Sequence, residues 1–240
     1  IVFVFNVNLL AETLKIKIVY LEGEVKIQRA GATQMVMAKV GDILTEGDKI
    51  STSAKSVCDL EFAPQTISRL SSDADLTITQ AAIETKKGLF KKSENKNINL
   101  NLAKGALLSK VKKLGEKESF KVSTPSAVAG VRGTFFKVAN TANLTKVDVI
   151  SGVVAVTNLI SNTISTVTAG QSLSISKENG ELQSSEMEQS ELSDFSELSG
   201  ESDSDFDIDA DFEDSDMFFD FDWDTLFENN KAPVIIHFHK

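Results

Sequence analysis

The side chains with the means to do chemistry are few, and their positions argue against catalysis. The two histidines, His237 and His239, both fall within the last four residues. A Ser-His-Asp or Cys-His arrangement would have to recruit that terminus for its base. On a strand the two imidazoles share a face, but zinc needs about four converging ligands, so alternation at a chain end is the simpler reading. Cys58 is the one cysteine, which excludes an internal disulfide. In Val57-Cys-Asp-Leu-Glu-Phe62 it alternates with Leu60 and Phe62, while Asp59 and Glu61 take the other face. That pattern predicts a buried, inert thiol, because a reactive one needs a neighbouring cation or base. The sequence nominates no catalytic residue, no metal site and no cofactor.

Three other groupings have binding chemistry. Asp stands at every second position from 203 to 211. A calcium-binding EF-hand loop wants Gly sixth and Glu twelfth. Counted from Asp203 these positions hold Ile208 and Asp214, and from Asp205 they hold Ala210 and Asp216. The ladder therefore predicts weak, diffuse cation binding only. Gly130-Val-Arg-Gly133 fits a G-x-x-G loop, but an RNA-binding KH module needs flanking helices, and strands flank it here. One reading is an anion cradle built from backbone N–H groups and Arg132. The simpler one is a turn that relieves strain and pairs Arg132 with an acidic neighbour. Finally, Phe219, Phe221, Trp223 and Phe227 stand among acids in MFFDFDWDTLFENN, residues 217–230. Aromatic anchors can fill a groove while acids steer toward a basic partner. That partner is either another protein or this chain's own body. The spacing fits helix and strand alike.

The elements that must position these groups read as strands. From Ile16 to Ser176 short β-branched runs alternate in period two, and no convincing helix precedes residue 180. Gly41-Asp42 and Gly47-Asp48 mark tight turns, since Gly accepts positive φ and Asp bonds its own backbone. Pro125, Gly130, Gly133, Gly152 and Gly170 are further turn-makers. Ser151-Gly152 is expected to turn a hairpin in TKVDVISGVVAVTN, residues 145–158. In residues 120–138, Val122, Val128, Phe136 and Val138 are the expected core, with Arg132 left as a contact residue. Recurrent short strands between Gly turns fit a sandwich, a barrel or a coil-stacked solenoid.

Charge divides the chain. Residues 1–180 carry 23 Lys+Arg and 16 Asp+Glu, a balance of +7; residues 181–240 carry 2 Lys and 19 Asp+Glu, or −17, which together give the net −10. Such asymmetry marks a tail outside the packed core, and self-repulsion with few aliphatic residues favours disorder there. The lysines of the body are scattered, so no nucleic-acid surface is expected. IVFVFNVNLL, residues 1–10, is too short to span a membrane, and no later apolar run approaches a transmembrane helix. Residues 1–15 read as the remnant of a secretory signal, with Ala11 at a cleavage position, or as a first strand. The expected division is 1–15, a β domain over 16–176 and an acidic tail over 177–240.

The body resembles the FecR-domain family. The resemblance rests on Gly41-Asp-Ile-Leu-Thr-Glu-Gly-Asp-Lys-Ile-Ser-Thr52, Leu102-Ala-Lys-Gly105, Phe120-Lys-Val-Ser-Thr-Pro125 with Val131-Arg-Gly-Thr-Phe-Phe136, Val147-Asp-Val-Ile-Ser-Gly-Val-Val154 and Ala169-Gly-Gln-Ser-Leu173. It implies an all-β, solenoid-like or sandwich-like domain. It also implies a non-enzymatic, periplasmic or secreted protein that acts in cell-envelope signalling or protein–protein binding. A structural or carbohydrate-binding envelope module is the alternative. The classical regulators add a cytoplasmic anti-sigma segment, a membrane helix and a second small domain, none of which is visible here.

Overall fold

The computed structural model describes residues 10–63, 66–87 and 92–188, and among them every regular element is a strand. Up to the long central hairpin these are β1 (Leu10–Thr13), β2 (Ile16–Glu22), β3 (Val25–Gln28), β4 (Met35–Met37), β5 (Ile43–Leu44), β6 (Lys49–Thr52), β7 (Val57–Ala63) and β8 (Thr66–Leu70). The hairpin itself is β9 (Asp75–Lys87) and β10 (Lys92–Val111). Then follow β11 (Ser119–Ser123), β12 (Ala127–Val131), β13 (Thr134–Asn140), β14 (Leu144–Ser151), β15 (Val153–Asn158), β16 (Thr163–Thr168), β17 (Gln171–Ser176) and β18 (Leu182–Glu186).

The strands form two layers. The first runs β4-β3-β6-β9-β10-β11-β12-β15-β16, with β1 also beside β9. The second runs β5-β2-β7-β8-β10-β13-β14-β17-β18. Strand β10 belongs to both, so one hydrogen-bonded ladder links every strand. The part of β10 before Gly105 pairs with β9 and β11; the part after it pairs with β8 and β13.

The chain shuttles between the layers, mostly one hairpin at a time. Strands β11 and β12 lie in the first layer, β13 and β14 in the second, β15 and β16 in the first, β17 and β18 in the second. Each unit stacks on the one before it, so the sandwich is wound as a solenoid winds. Most of the crossings fall at glycines with positive φ: Gly23, Gly41, Gly47, Gly105, Gly133, Gly152 and Gly170. At Gly152 a Cβ would stand 2.6 Å from the Gly133 carbonyl oxygen, so the backbones of two successive corners touch. At Gly105 it would stand 2.5 Å from the Ala74 Cα. Only glycine combines that φ with that approach.

This winding corrects two local expectations. Strands β14 and β15 do not pair with each other: β14 lies between β13 and β17, and β15 between β12 and β16. Gly152 is thus a corner between layers and not a hairpin turn. Gly130 lies inside β12, opposite Lys121 and Ala155, and so is not a turn residue.

The core lies between the layers and is built by period-two alternation. Ile16, Ile18 and Leu60 of the second layer and Val25, Ile27 and Ile50 of the first share one buried cluster. Phe120 bridges the layers. Its ring meets Phe62 edge-on at 5.5 Å and Phe136 at 6.4 Å, the arrangement in which ring edges face ring faces. Val122, Phe136 and Val138 are buried as expected, but Val128 is only partly buried. Register decides this. Val122 is paired with Ala129, so Ala127, Ala129 and Val131 point inward and Val128 points outward. Cys58, Leu60 and Phe62 are buried on one face of β7.

The Ser-Thr-Pro-Ser corner is pinned by hydroxyls. The Thr124 and Ser126 hydroxyls lie 3.0 and 2.8 Å from the Thr145 hydroxyl, all buried. This joins the β11–β12 corner to β14 of the opposite layer. Asp48 is also buried, and its carboxylate accepts bonds from the Ala30 and Thr45 N–H groups and from Arg29.

Strand pairing runs past residue 176, where the body was expected to end. β18 adds to β17, and Leu182 packs on the core because its partner Ile175 is buried there. At the other end, Leu10–Thr13 pairs with β9, so the cleavage position Ala11 falls within a strand. The tail aromatics, the Asp ladder, both histidines, Pro64 and residues 1–9 lie outside the described residues.

Candidate functional site

A cavity of about 230 Å³ opens at one end of the sandwich. Its position follows from how β10 and β11 are connected. β10 leaves the second layer at Val111, yet β11 must return to the first layer to pair in parallel with Asn97–Asn101. A parallel neighbour needs a crossover, and residues 112–118 supply it across the end of the stack. Lys112, Lys113, Leu114 and Glu118 of this crossover form one wall. Lys96 and Ile98 of β10, Phe120 of β11, and Ala63 and Thr66 of the β7–β8 hairpin complete the lining.

The floor is apolar and the rim is cationic. Ile98 and Phe120 are buried, and Leu114 is half-buried. Three of the four charged lining residues are lysines: Lys96, half-buried, and Lys112 and Lys113, both exposed. The one acid, Glu118, is engaged locally, since its carboxylate accepts the Gly115 N–H at 2.8 Å. The arrangement suits an apolar or aromatic group that carries negative charge beside it. It is smaller than the ~300 Å³ at which pockets for drug-sized ligands begin, so a single side chain fits better than a cofactor.

Arg132 stands behind this wall. Its Nε donates to the Leu114 carbonyl oxygen at 2.9 Å. By this bond it holds the crossover in place. Gly133 allows the same approach, because a Cβ there would stand 2.9 Å from the Lys113 Cα. The expected turn residues Gly41, Asp42, Gly47 and Asp48 flank β5 and do not line the cavity, and Pro125 is exposed at the β11–β12 corner. Gly152 meets the Gly133 carbonyl from the other side, while Gly170 turns the chain from β16 into β17.

Sequence reasoning missed Lys96, Ile98, Lys112, Lys113 and Leu114 as a group. Their one visible signal was the Lys112-Lys113 pair; the convergence depends on β7, β10 and β11 meeting at one end. Elsewhere, burial pushes the Cys58 thiol up to about 12, with Asp59 beside it adding to the shift. Among the described residues no three His, Cys, Asp or Glu side chains form a group that could hold a metal ion.

The model of the family described as FecR protein matches residues 48–155. Two crystal structures of a candidate anti-sigma factor from Parabacteroides distasonis ATCC 8503 are similar to the chain, each at 18% identity and a TM-score of 0.46. The alignments cover 60% and 63% of this chain and 62% and 65% of those chains, so this chain spans less than two thirds of their length. No curated protein matches it. Every cavity-lining residue, and Arg132 with them, falls inside the matched span. From the start of β6 to the middle of β15, this chain is similar to the FecR family.

Proposed function

We propose that the protein is a non-enzymatic, extracytoplasmic module that acts in cell-envelope signalling by binding another protein at the lysine-rimmed cavity. The observation that carries this reading is the cavity itself: within the family-matched span, half-buried Leu114 and three lysines line one small opening above the buried Ile98 and Phe120. An aromatic anchor in a small pocket ringed by complementary charge is the common form of a binding hot spot. The histidines, the sole candidate bases of their type, stand at the far end of the sequence from these residues.

The test is affinity capture from envelope extracts with the full chain and with its K96E/K112E/K113E variant. The wild-type chain should retain a defined envelope protein, and the variant should lose it. Retention of that protein by both forms, or of none by the wild type, would remove the support for this site.

A second reading is a carbohydrate-binding envelope module, favoured by the outer face of the first layer. Asn97, Asn99 and Asn101 alternate along β10 beside Ser119, Lys121 and Ser123 of β11. The Asn99 amide donates to Gln80, and its buried Oδ1 has no partner. A glycan array that lights up with the wild type, and dims with Asn99→Ala, would favour this reading over the first.

A further inference from the structure

We propose that the cavity has an occupant within the chain itself: the acidic aromatic segment 217–227, one ring of which seats against Leu114 while its acids meet Lys96, Lys112 and Lys113. This rests on the reading of the cavity as the partner site and makes the tail its competitor.

Three observations select this occupant. The first is charge complementarity. The rim carries three lysines and one acid, a surplus of positive charge. Segment 217–227 sets Asp220, Asp222 and Asp224 between Phe219, Phe221, Trp223 and Phe227, with no cation among them. Phe219, Phe221 and Trp223 thus each carry an acid beside them, the pairing that this cavity suits. The second is size. At about 230 Å³ the cavity admits one large side chain rather than a helix or a cofactor. The third is the route of the chain. Met187 packs beside Leu108 and Phe135 on the outer face of the second layer, and Lys110 lies 5.9 Å from the Phe135 ring centre. The Met187 N–H bonds the Gly170 carbonyl, so the described chain ends beside β17, on the layer that also holds the second half of β10. Lys112 is four residues beyond Leu108, roughly 13 Å at the rise of a strand. Residues 189–216 give a reach of up to about 90 Å when extended, so length does not prevent the contact. Opposite charges, −17 over residues 181–240 against +7 over residues 1–180, raise the chance of encounter within one molecule.

Trp223 is the only tryptophan in the chain, so its fluorescence reports this docking directly. In the full-length protein the expected emission is blue-shifted, and acrylamide quenching is weak and independent of protein concentration. K112E/K113E should shift the emission to the red and raise the quenching constant several-fold, while the far-UV circular dichroism stays unchanged because both lysines are exposed. Raising salt should act in the same direction. A Lys26→Glu control, remote from the cavity, should leave Trp223 protected. Emission and quenching of a free indole in the wild type would overturn the proposal, as would protection indifferent to K112E/K113E. Protection that grows with protein concentration would overturn it as well, since the segment would then sit on a second copy. No partner is needed for this measurement. A failure here leaves partner capture to be judged separately, and failed capture leaves the tail contact standing.

Discussion

The Arg132 guanidinium holds the Leu114 carbonyl at 2.9 Å and so ties the β12–β13 corner to the wall of the cavity. Arg132 stands in the Val131-Arg-Gly-Thr stretch that carries much of the family resemblance. Its role is to position the wall. Gly133 beside it lets the crossover approach, and Gly152 packs against Gly133 in turn. Two corners of the winding chain thus support one side of the site.

Arg132→Ala should loosen the wall without unfolding the domain. A hydrogen bond from a charged donor contributes about 1.5–3 kcal/mol, so denaturant unfolding should show a loss of that order or less. Affinity for the cavity's ligand should fall more than stability does. Arg132→Lys keeps the charge but lacks the planar fork, and it should recover only part of the loss. Equal binding by Arg132→Ala and wild type would show that the crossover keeps its shape without this bond.

Gly152→Ala should be among the most damaging single-methyl additions. The residue has φ +82°, and its Cβ would stand 2.6 Å from the Gly133 oxygen. A left-handed conformation alone costs a non-glycine residue about 1–2 kcal/mol, and the clash adds to it. By contrast, a Cβ at Gly170 meets nothing within 4 Å, so Gly170→Ala should cost only the conformational part. Comparing the two melting temperatures checks that Gly152 is a corner in contact with another corner. Equal shifts would contradict it.

Cys58 should be inert in the folded protein. Burial raises its thiol from 9.0 to about 12, and the thiolate is the reactive form. Alkylation at pH 8 should proceed no faster than global unfolding. The linked pH dependence has a definite sign. Between about pH 9 and 12 the unfolded chain releases a proton that the folded chain keeps, so stability falls as pH rises through that window. Cys58→Ala should flatten this alkaline slope in a series of unfolding measurements. Rapid alkylation of the native protein would show that the site opens locally.

Strand content, the face of β7 that holds Cys58, and the inward set Val122, Phe136 and Val138 were all legible in the sequence, because alternation reports burial directly. Layer assignment was not. Period two says which side of a strand is apolar but not which layer the strand joins, so Gly152 read as a hairpin turn although it crosses between layers. Val128 read as core because it is the larger residue in Ala127-Val-Ala129. Pairing with Val122 turns the small alanines inward instead. The cavity was hidden for a related reason. Phe120 and Lys112 are near in sequence, but Thr66 and Lys96 join them only once β10 has served both layers. Arg132 was singled out early, but its bond to the backbone of the crossover depends on the path of residues 112–118 across the stack.

The most direct test of the account places a photo-crosslinking phenylalanine derivative at Leu114 of the full-length chain, and at Lys26 as a remote control, in cells that make the protein. Irradiation at position 114 should yield a crosslink to one envelope protein, weakened by K96E/K112E/K113E and absent at position 26. Equal crosslinking from both positions, or none from position 114 beyond the chain's own residues under any signalling condition, would contradict the claim that this cavity is where the FecR-like body meets its partner.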